Sequence, residues 1–176
     1  FMVILGGAKV SDKISLIENL IPKAEAFIIG GGMAYTFLKA QGKKIGNSIC
    51  ETDKLEMAGH ILEKARKSHV EVALSSDFVV VTKFESSQDM KVVKEVPDGW
   101  MGVDIGPETR QRFKEILSKA KTIVWNGPLG VFENDDFAKG TKEIAEYVAG
   151  LKDVTTIIGG GDSAAAVAKF RLEDKM

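Results

Sequence analysis

The stretch Val3-Ile4-Leu5-Gly6-Gly7-Ala8-Lys9-Val10-Ser11 begins with an apolar run, passes through a glycine pair and ends where a helix can start. Residues 3–5 have the continuous apolar character of a strand that is covered on both faces. Ser11 can cap the following helix, in which Ile14, Ile17 and Leu20 recur at helical spacing. The stretch therefore predicts a strand, a glycine loop and a helix in succession.

The same alternation recurs along the rest of the chain. Further strands are predicted at residues 26–29, 70–74, 78–81, 101–105, 122–125 and 155–158. Helices are predicted after Asp53, behind Pro107 at 108–119, at 137–149 and at 163–170. Residues 83–99 have no clear periodicity and are predicted to be a surface excursion and turn. The pattern predicts an α/β fold, a single domain with a doubly wound, mostly parallel sheet in a Rossmann-like three-layer αβα arrangement.

Composition excludes several classes of protein. The chain has 176 residues, 28% of them charged and 44% apolar, with a net charge of −1, so intrinsic disorder is excluded. No bulk basic field is present, so we expect neither nucleic acid nor a membrane as a partner. Cys50 is the single cysteine, which indicates a reducing compartment and excludes an internal disulfide or a structural zinc site.

The first five residues are apolar, and no charged segment precedes them. This run is far too short for a signal peptide or a membrane span. It resembles a strand that the chain enters in mid-protein. We therefore expect the sequence to be a fragment.

Glycine accounts for 18 residues, and the excess is clustered behind predicted strands. The clusters are Gly6-Gly7, Gly30-Gly31-Gly32, Gly127 to Gly130 and Gly159-Gly160-Gly161. Loops at the carboxyl ends of parallel strands emerge at one edge of the sheet, where ligands bind. Glycine lets the backbone approach a ligand closely, and the N–H groups of a helix start favour an anion such as phosphate. One such cluster is typical of a tight turn, but four predict a backbone-lined phosphate site.

Standard nucleotide-binding motifs limit the classes of nucleotide-binding protein to which the sequence can belong. The Walker pattern is absent, whereas residues 159–164 fit the G-x-G-x-x-A pattern of dinucleotide-binding proteins. That pattern also needs an acidic residue about 20 positions further on, beyond the end of this sequence. Asp162 moreover stands where a pyrophosphate needs neutral donors, which favours a metal–phosphate complex. An NAD-linked dehydrogenase domain and a non-catalytic nucleotide-binding module remain as alternatives.

Two lysines and two polar residues are candidates for ligand contact. Lys9 follows the first glycine pair, and Lys13 stands in the first turn of a helix, where a cation opposes the helix dipole and suggests a bound anion. A solvated side chain is the alternative for Lys13. Asn126 could reach a phosphate oxygen and Glu133 could accept hydrogen bonds from ribose. Alternatively, Asn126 belongs to an ordinary turn and Glu133 is a surface acid.

Residues for covalent catalysis are not apparent. His60 and His69 are predicted to be surface residues, and Cys50 has no histidine nearby in sequence. Phosphoryl transfer fits this pattern, because positioning and charge stabilisation supply most of its catalysis.

Five motifs together resemble the carboxy-terminal, nucleotide-binding domain of the phosphoglycerate kinase family, in that family's order. They are residues 4–14 (ILGGAKVSDKI), 29–38 (IGGGMAYTFL), 100–107 (WMGVDIGP), 124–133 (VWNGPLGVFE) and 157–166 (IIGGGDSAAA).

This resemblance implies reversible phosphoryl transfer between 1,3-bisphosphoglycerate and ADP in glycolysis. It implies a cytoplasmic, monomeric enzyme of two lobes that close by a hinge, with Mg²⁺ and ATP or ADP as ligands. The family's amino-terminal lobe, which holds 3-phosphoglycerate, and its later Thr-Gly-Gly-Gly-Ala-Ser loop do not occur in this sequence. We expect residues 1–176 to bind nucleotide without catalysing transfer alone.

The resemblance also implies a role for individual residues. Lys9 would stabilise the phosphoryl group in flight, Lys13 and Asn126 would hold phosphate, Glu133 would bind ribose, and Asp162 would ligate Mg²⁺. The other implied nucleotide-binding residues are Gly7, Ala8 and Val131, then Gly30, Gly31, Gly102 and Pro128 beside adenine and ribose, and Gly160, Gly161 and Ser163 at the phosphate end. One departure concerns Leu74-Ser75-Ser76-Asp77, where the family usually has Leu-Pro-Val-Asp.

Overall fold

The computed structural model describes residues 1–175, which form eight strands and six α-helices. The strands are β1 Met2–Leu5, β2 Ala26–Ile29, β3 Glu71–Ala73, β4 Phe78–Val81, β5 Lys91–Val93, β6 Met101–Ile105, β7 Thr122–Asn126 and β8 Thr155–Gly159. The helices are α1 Ile14–Leu20, α2 Met33–Ala40, α3 Leu55–Lys67, α4 Pro107–Leu117, α5 Lys139–Ala149 and α6 Gly161–Lys169. None of the described helices is long and apolar enough to cross a membrane.

The main sheet has five strands in the order β3-β2-β1-β7-β8, and every pairing in it is parallel. Successive residues of β1 point to opposite faces. Val3 and Leu5 pack in a cluster that contains buried residues of α1, α2 and α3. Met2 and Ile4 pack in a second cluster, with residues of α4, α5 and α6. The predicted three-layer αβα fold is therefore confirmed.

The strands at 78–81 and 101–105 belong to a separate sheet, so their expected place in the parallel sheet is wrong. This second sheet has the order β5-β4-β6, and both of its pairings are antiparallel. The connection at 82–90, which joins β4 to β5, contains no helix, whereas a parallel crossover needs a dozen or more residues, usually with a helix. This short connection leaves antiparallel pairing as the available arrangement for β4 and β5, and β6 pairs with the other side of β4.

Two predicted helix caps are also wrong. Ser11 lies within the 3₁₀ turn Val10–Asp12, and α1 begins only at Ile14. Asp53 lies within the 3₁₀ turn Thr52–Lys54, and its side chain does not cap α3. Pro107 does occupy the first position of α4, where its missing N–H costs nothing.

Asp77 caps α4 from another part of the chain. Its Oδ1 accepts the N–H of Thr109 at 2.8 Å, and its Oδ2 accepts the N–H of Glu108 at 3.0 Å. In return, Thr109 Oγ1 accepts the N–H of Ser76 at 3.0 Å and of Asp77 at 3.1 Å. These bonds fix the segment between the two sheets onto the start of α4.

Candidate functional site

The glycine loops meet at one edge of the parallel sheet, as predicted. The N–H of Gly6 donates to Asn126 O at 2.9 Å, and the N–H of Gly7 donates to Pro128 O at 3.1 Å. The N–H of Gly31 donates to Leu129 O at 3.1 Å. Backbone hydrogen bonds therefore join the loops that follow β1, β2 and β7 into one surface.

This surface leaves no room for side chains where the loops touch. A Cβ atom on Gly6 would lie 1.9 Å from Pro128 O. Gly127 has φ +103°, and a Cβ there would lie 2.2 Å from Gly6 O. Glycine is required at both positions, because backbone packs directly against backbone.

A cavity of about 430 Å³ opens on one side of these loops. Its walls include these predicted nucleotide-binding residues: Gly7, Ala8, Gly31, Gly102, Pro128, Val131, Glu133 and Asp162. Tyr35, Ile49, Phe84 and Met101 add a largely apolar lining that suits a flat organic ring.

A second cavity, of about 310 Å³, adjoins the first and is the more polar of the two. Its predicted residues are Gly7, Ala8, Lys9, Lys13, Asn126, Pro128, Gly160, Gly161, Asp162 and Ser163. Gly7, Ala8, Pro128 and Asp162 line both cavities. An apolar slot and a backbone-rich cavity with two lysines and two aspartates, Asp12 and Asp162, thus share one wall.

Side-chain contacts organise the polar cavity. Lys13 Nζ donates a hydrogen bond to Asn126 Oδ1. The N–H of Gly127 donates to the hydroxyl of Ser163, at the start of α6. These contacts link the residue before α1, the end of β7 and the start of α6 around the space that Lys9 and Asp162 also border.

Glu51 holds the segment that carries both lysines. Its Oε1 accepts the N–H of Ser11 at 3.0 Å, and its Oε2 accepts the Ser11 hydroxyl at 2.8 Å. Burial raises the pKa of Glu51, but these bonds outweigh it and hold that pKa below its ordinary value. Ser11 was expected to cap a helix, and it instead anchors the loop between β1 and α1.

Asp162 is the residue best suited to a metal ion. It is exposed in the first turn of α6 and lines both cavities. No cluster of three or more His, Cys, Asp or Glu side chains occurs within residues 1–175. A carboxylate beside lysines and glycine-rich backbone could hold Mg²⁺, which is usually bound by one or two carboxylates together with substrate phosphates and water.

Gly30 is the one predicted site residue that lines neither cavity. It is buried, and a Cβ there would lie 2.6 Å from Leu129 Cδ2. Its contribution is close packing beneath the loop that follows β7.

Asp104 lies in the cavity wall although no motif suggested a role for it. It is 2% exposed, and its carboxyl accepts the N–H groups of Ile105 and Gly140, each at 2.8 Å. Burial raises the pKa of Asp104 to about 7, against the opposing effect of these two hydrogen bonds. Burial, followed by the nearby Asp104, also holds the pKa of Tyr35 well above its ordinary value.

The comparisons with known proteins identify the family. The sequence profile described as phosphoglycerate kinase matches residues 1–176. The chain belongs to the phosphoglycerate kinase family. The dehydrogenase alternative has no support among these matches.

Curated phosphoglycerate kinases share more than half of their matched residues with this chain. The protein from Pseudothermotoga lettingae is 57% identical over 176 residues, which is 98% of this chain and 44% of that protein. The protein from Limosilactobacillus reuteri is 54% identical over 177 residues, which is 43% of its length. The chain thus spans less than half the length of these phosphoglycerate kinases.

Solved phosphoglycerate kinase structures have the same fold. The structure from Coxiella burnetii superposes with a TM-score of 0.93 at 43% identity, covering 99% of this chain and 45% of that one. The structure from Pyrococcus horikoshii gives a TM-score of 0.80 at 29% identity, covering 96% and 44%.

Proposed function

We propose that the chain forms the carboxy-terminal, nucleotide-binding lobe of a phosphoglycerate kinase, with Mg-ADP or Mg-ATP as its ligand. The observation that carries this proposal is the pair of adjoining cavities. The apolar slot suits adenine, and the polar cavity offers two lysines and glycine-rich backbone to phosphates.

Different residues bind the base, the ribose and the phosphates of the nucleotide. Tyr35, Ile49 and Met101 border the slot for the base, while Glu133, which lines the same cavity, accepts hydrogen bonds from ribose hydroxyls. Lys13, oriented by Asn126, contacts the nucleotide phosphates. Asp162 holds Mg²⁺, which neutralises charge on the phosphate oxygens when bound.

The proposed reaction is transfer of the acyl phosphate of 1,3-bisphosphoglycerate to ADP. An oxygen of the ADP β-phosphate attacks phosphorus, the bond from phosphorus to the carboxyl oxygen breaks, and the carboxylate of 3-phosphoglycerate leaves. Lys9 stabilises the negative charge on the oxygens of the transferring group. A second lobe, within the length of the relatives that this sequence does not cover, presents the acyl phosphate. By this proposal the complete enzyme acts in the cytoplasm as a monomer, and residues 1–176 alone do not catalyse transfer.

Calorimetric titration with Mg-ADP tests the binding site. The folded chain should bind Mg-ADP weakly, and Lys13→Met should weaken that binding roughly tenfold because one charged phosphate contact is lost. Lys23→Met, which changes an exposed lysine just after α1, is the control and should bind like the wild type. A folded wild-type chain that releases no heat with Mg-ADP but binds NADH would favour a dehydrogenase module instead.

Lys9 is tested by turnover. With the substrate-binding lobe joined to this chain, Lys9→Ala should abolish phosphoryl transfer and leave the circular dichroism spectrum unchanged. Lys9 is exposed, so its removal should not disturb the core. Normal turnover by the variant would remove Lys9 from the proposed mechanism.

A further inference from the structure

Lys169 contacts the segment on either side of Glu133. It lies in the last turn of α6, the helix whose first turn contains Asp162 and Ser163. Its Nζ donates to Phe132 O at 2.7 Å and pairs with Asp135 Oδ1 at 2.7 Å. These two contacts lie on either side of Glu133.

The bond to Phe132 O acts on the peptide group that precedes Glu133. That carbonyl belongs to the amide between Phe132 and Glu133, so its orientation sets the direction in which the Glu133 backbone begins. The carbonyl and the following N–H are coplanar, and a held carbonyl therefore fixes the plane of the whole peptide unit.

Packing against α6 also holds the segment that contains Phe132 and Glu133. Phe132 is 5% exposed and packs with Ala166 of α6 and with the half-buried Phe170. The N–H of Val131 donates to Val103 O at 2.9 Å, which fixes the preceding residue to β6. Glu133 is exposed between these fixed neighbours and lines the larger cavity.

The charge of Lys169 suits this role. A cation in the last turn of a helix is favoured by the helix dipole, and an ammonium group gives a stronger hydrogen bond to a carbonyl than a neutral donor does. Its side chain is 32% exposed, so water only partly competes for the two contacts.

We propose that Lys169 is a positioning residue for ribose recognition, which holds Glu133 at a fixed place relative to the phosphate-binding start of α6. The inference rests on the proposed function, in which Glu133 binds ribose hydroxyls. The ligand class it selects is a nucleoside diphosphate with free 2′ and 3′ hydroxyls.

The test compares ADP with 2′,3′-dideoxy-ADP, each with Mg²⁺, by calorimetry on the 176-residue chain. The wild type should bind ADP more tightly, because only ADP offers hydroxyls to Glu133. Lys169→Met keeps the aliphatic stem and removes the charge. It should weaken ADP binding roughly tenfold, the loss expected for about one hydrogen bond to a charged group, and leave the dideoxy analogue unchanged.

Two further variants provide controls. Lys169→Arg keeps a cation within reach of Phe132 O and should retain the preference for ADP. Lys142→Met removes an exposed lysine whose partner is Glu146, one turn along α5, and should match the wild type for both nucleotides. Thermal unfolding reports whether each variant is folded, and Lys169→Gln replaces the Met variant if that one unfolds.

The possible outcomes distinguish a failure of the inference about Lys169 from a failure of the proposed nucleotide-binding function. Equal weakening of both nucleotides by Lys169→Met would indicate a merely structural role and overturn the inference, as would no weakening at all. If the wild type binds both nucleotides equally, Glu133 does not recognise ribose hydroxyls, and the proposed role of Lys169 is overturned as well. A wild type that binds neither nucleotide overturns the proposed function.

Discussion

Asp104 lies in the cavity wall and within the motif at 100–107, yet neither the motif nor the resemblance assigned it a role. Its two oxygens accept the N–H groups of Ile105 and Gly140, and so tie β6 to the first turn of α5. A Cβ atom on Gly130 would lie 2.5 Å from Asp104 Oδ1, so the loop after β7 rests on the same carboxyl. One side chain thus supports two neighbouring segments.

The raised pKa of Asp104 predicts a pH-dependent stability. The folded chain keeps this proton up to about pH 7, whereas the unfolded chain releases it near pH 4. Between these values the unfolded state binds fewer protons, so the free energy of unfolding falls as pH rises, by up to about 4 kcal/mol from this group. Above pH 7 this contribution is constant.

Asp104→Asn isolates that effect in urea unfolding at several pH values. Asn cannot titrate, and its amide replaces one acceptor, so the variant should be less stable than the wild type at pH 5 by about 1–3 kcal/mol. The difference should shrink as pH rises to 8. A difference that stays constant across this range would show that Asp104 does not titrate there.

Residues that directly follow strands could be predicted from the sequence, and residues that approach from elsewhere could not. Lys9, Asn126 and Asp162 come at or just behind the ends of β1, β7 and β8, where topology alone brings them together. Tyr35 reaches the cavity from within α2, and Phe84 from the aperiodic segment after β4. No local pattern encodes such approaches, because they depend on how the two sheets are placed.

At the scale of elements, periodicity predicted the parallel sheet well and the second sheet poorly. The central strands are buried on both faces, so their sequences are continuously apolar. β5 has two exposed residues and one half-buried residue, and with three residues in all it carries no alternation to detect. Its place is determined by pairing with β4, which is a tertiary contact.

Replacement of Ser76, which lies in the connection from β3 to β4, should stabilise the folded chain. Its hydroxyl is buried and has no hydrogen-bond partner among the described residues. Ser76→Val removes this unsatisfied group and should raise the free energy of unfolding by about 1 kcal/mol in urea titration. Ser15→Val, at an exposed position in α1, should change it by less than about 0.5 kcal/mol. Destabilisation by Ser76→Val would mean that the connection is too tightly packed for the larger side chain.

At the scale of the whole molecule, the two largest buried clusters include the two faces of the parallel sheet, and the candidate site lies along the edge at which its strands end. β1 lies at the centre of that sheet, and each of its residues is at most 5% exposed. The glycine loops extend directly from this central region. The geometry of the surface that the glycine loops form is therefore set by the most deeply buried part of the chain.

The outer side of β8 has a consequence for the behaviour of this chain in solution. Within residues 1–175, β8 pairs with β7 alone, and Ile157 on it is 52% exposed. An open strand edge beside an apolar side chain is a template for pairing with another copy. Concentrated samples of residues 1–176 should therefore self-associate, which sedimentation velocity can measure. Ile157→Lys should suppress the self-association, because it places a charge beside the open edge. Met57→Lys, at an exposed position on α3, is the control and should leave the self-association unchanged. A wild-type chain that stays monomeric at millimolar concentration would contradict this prediction.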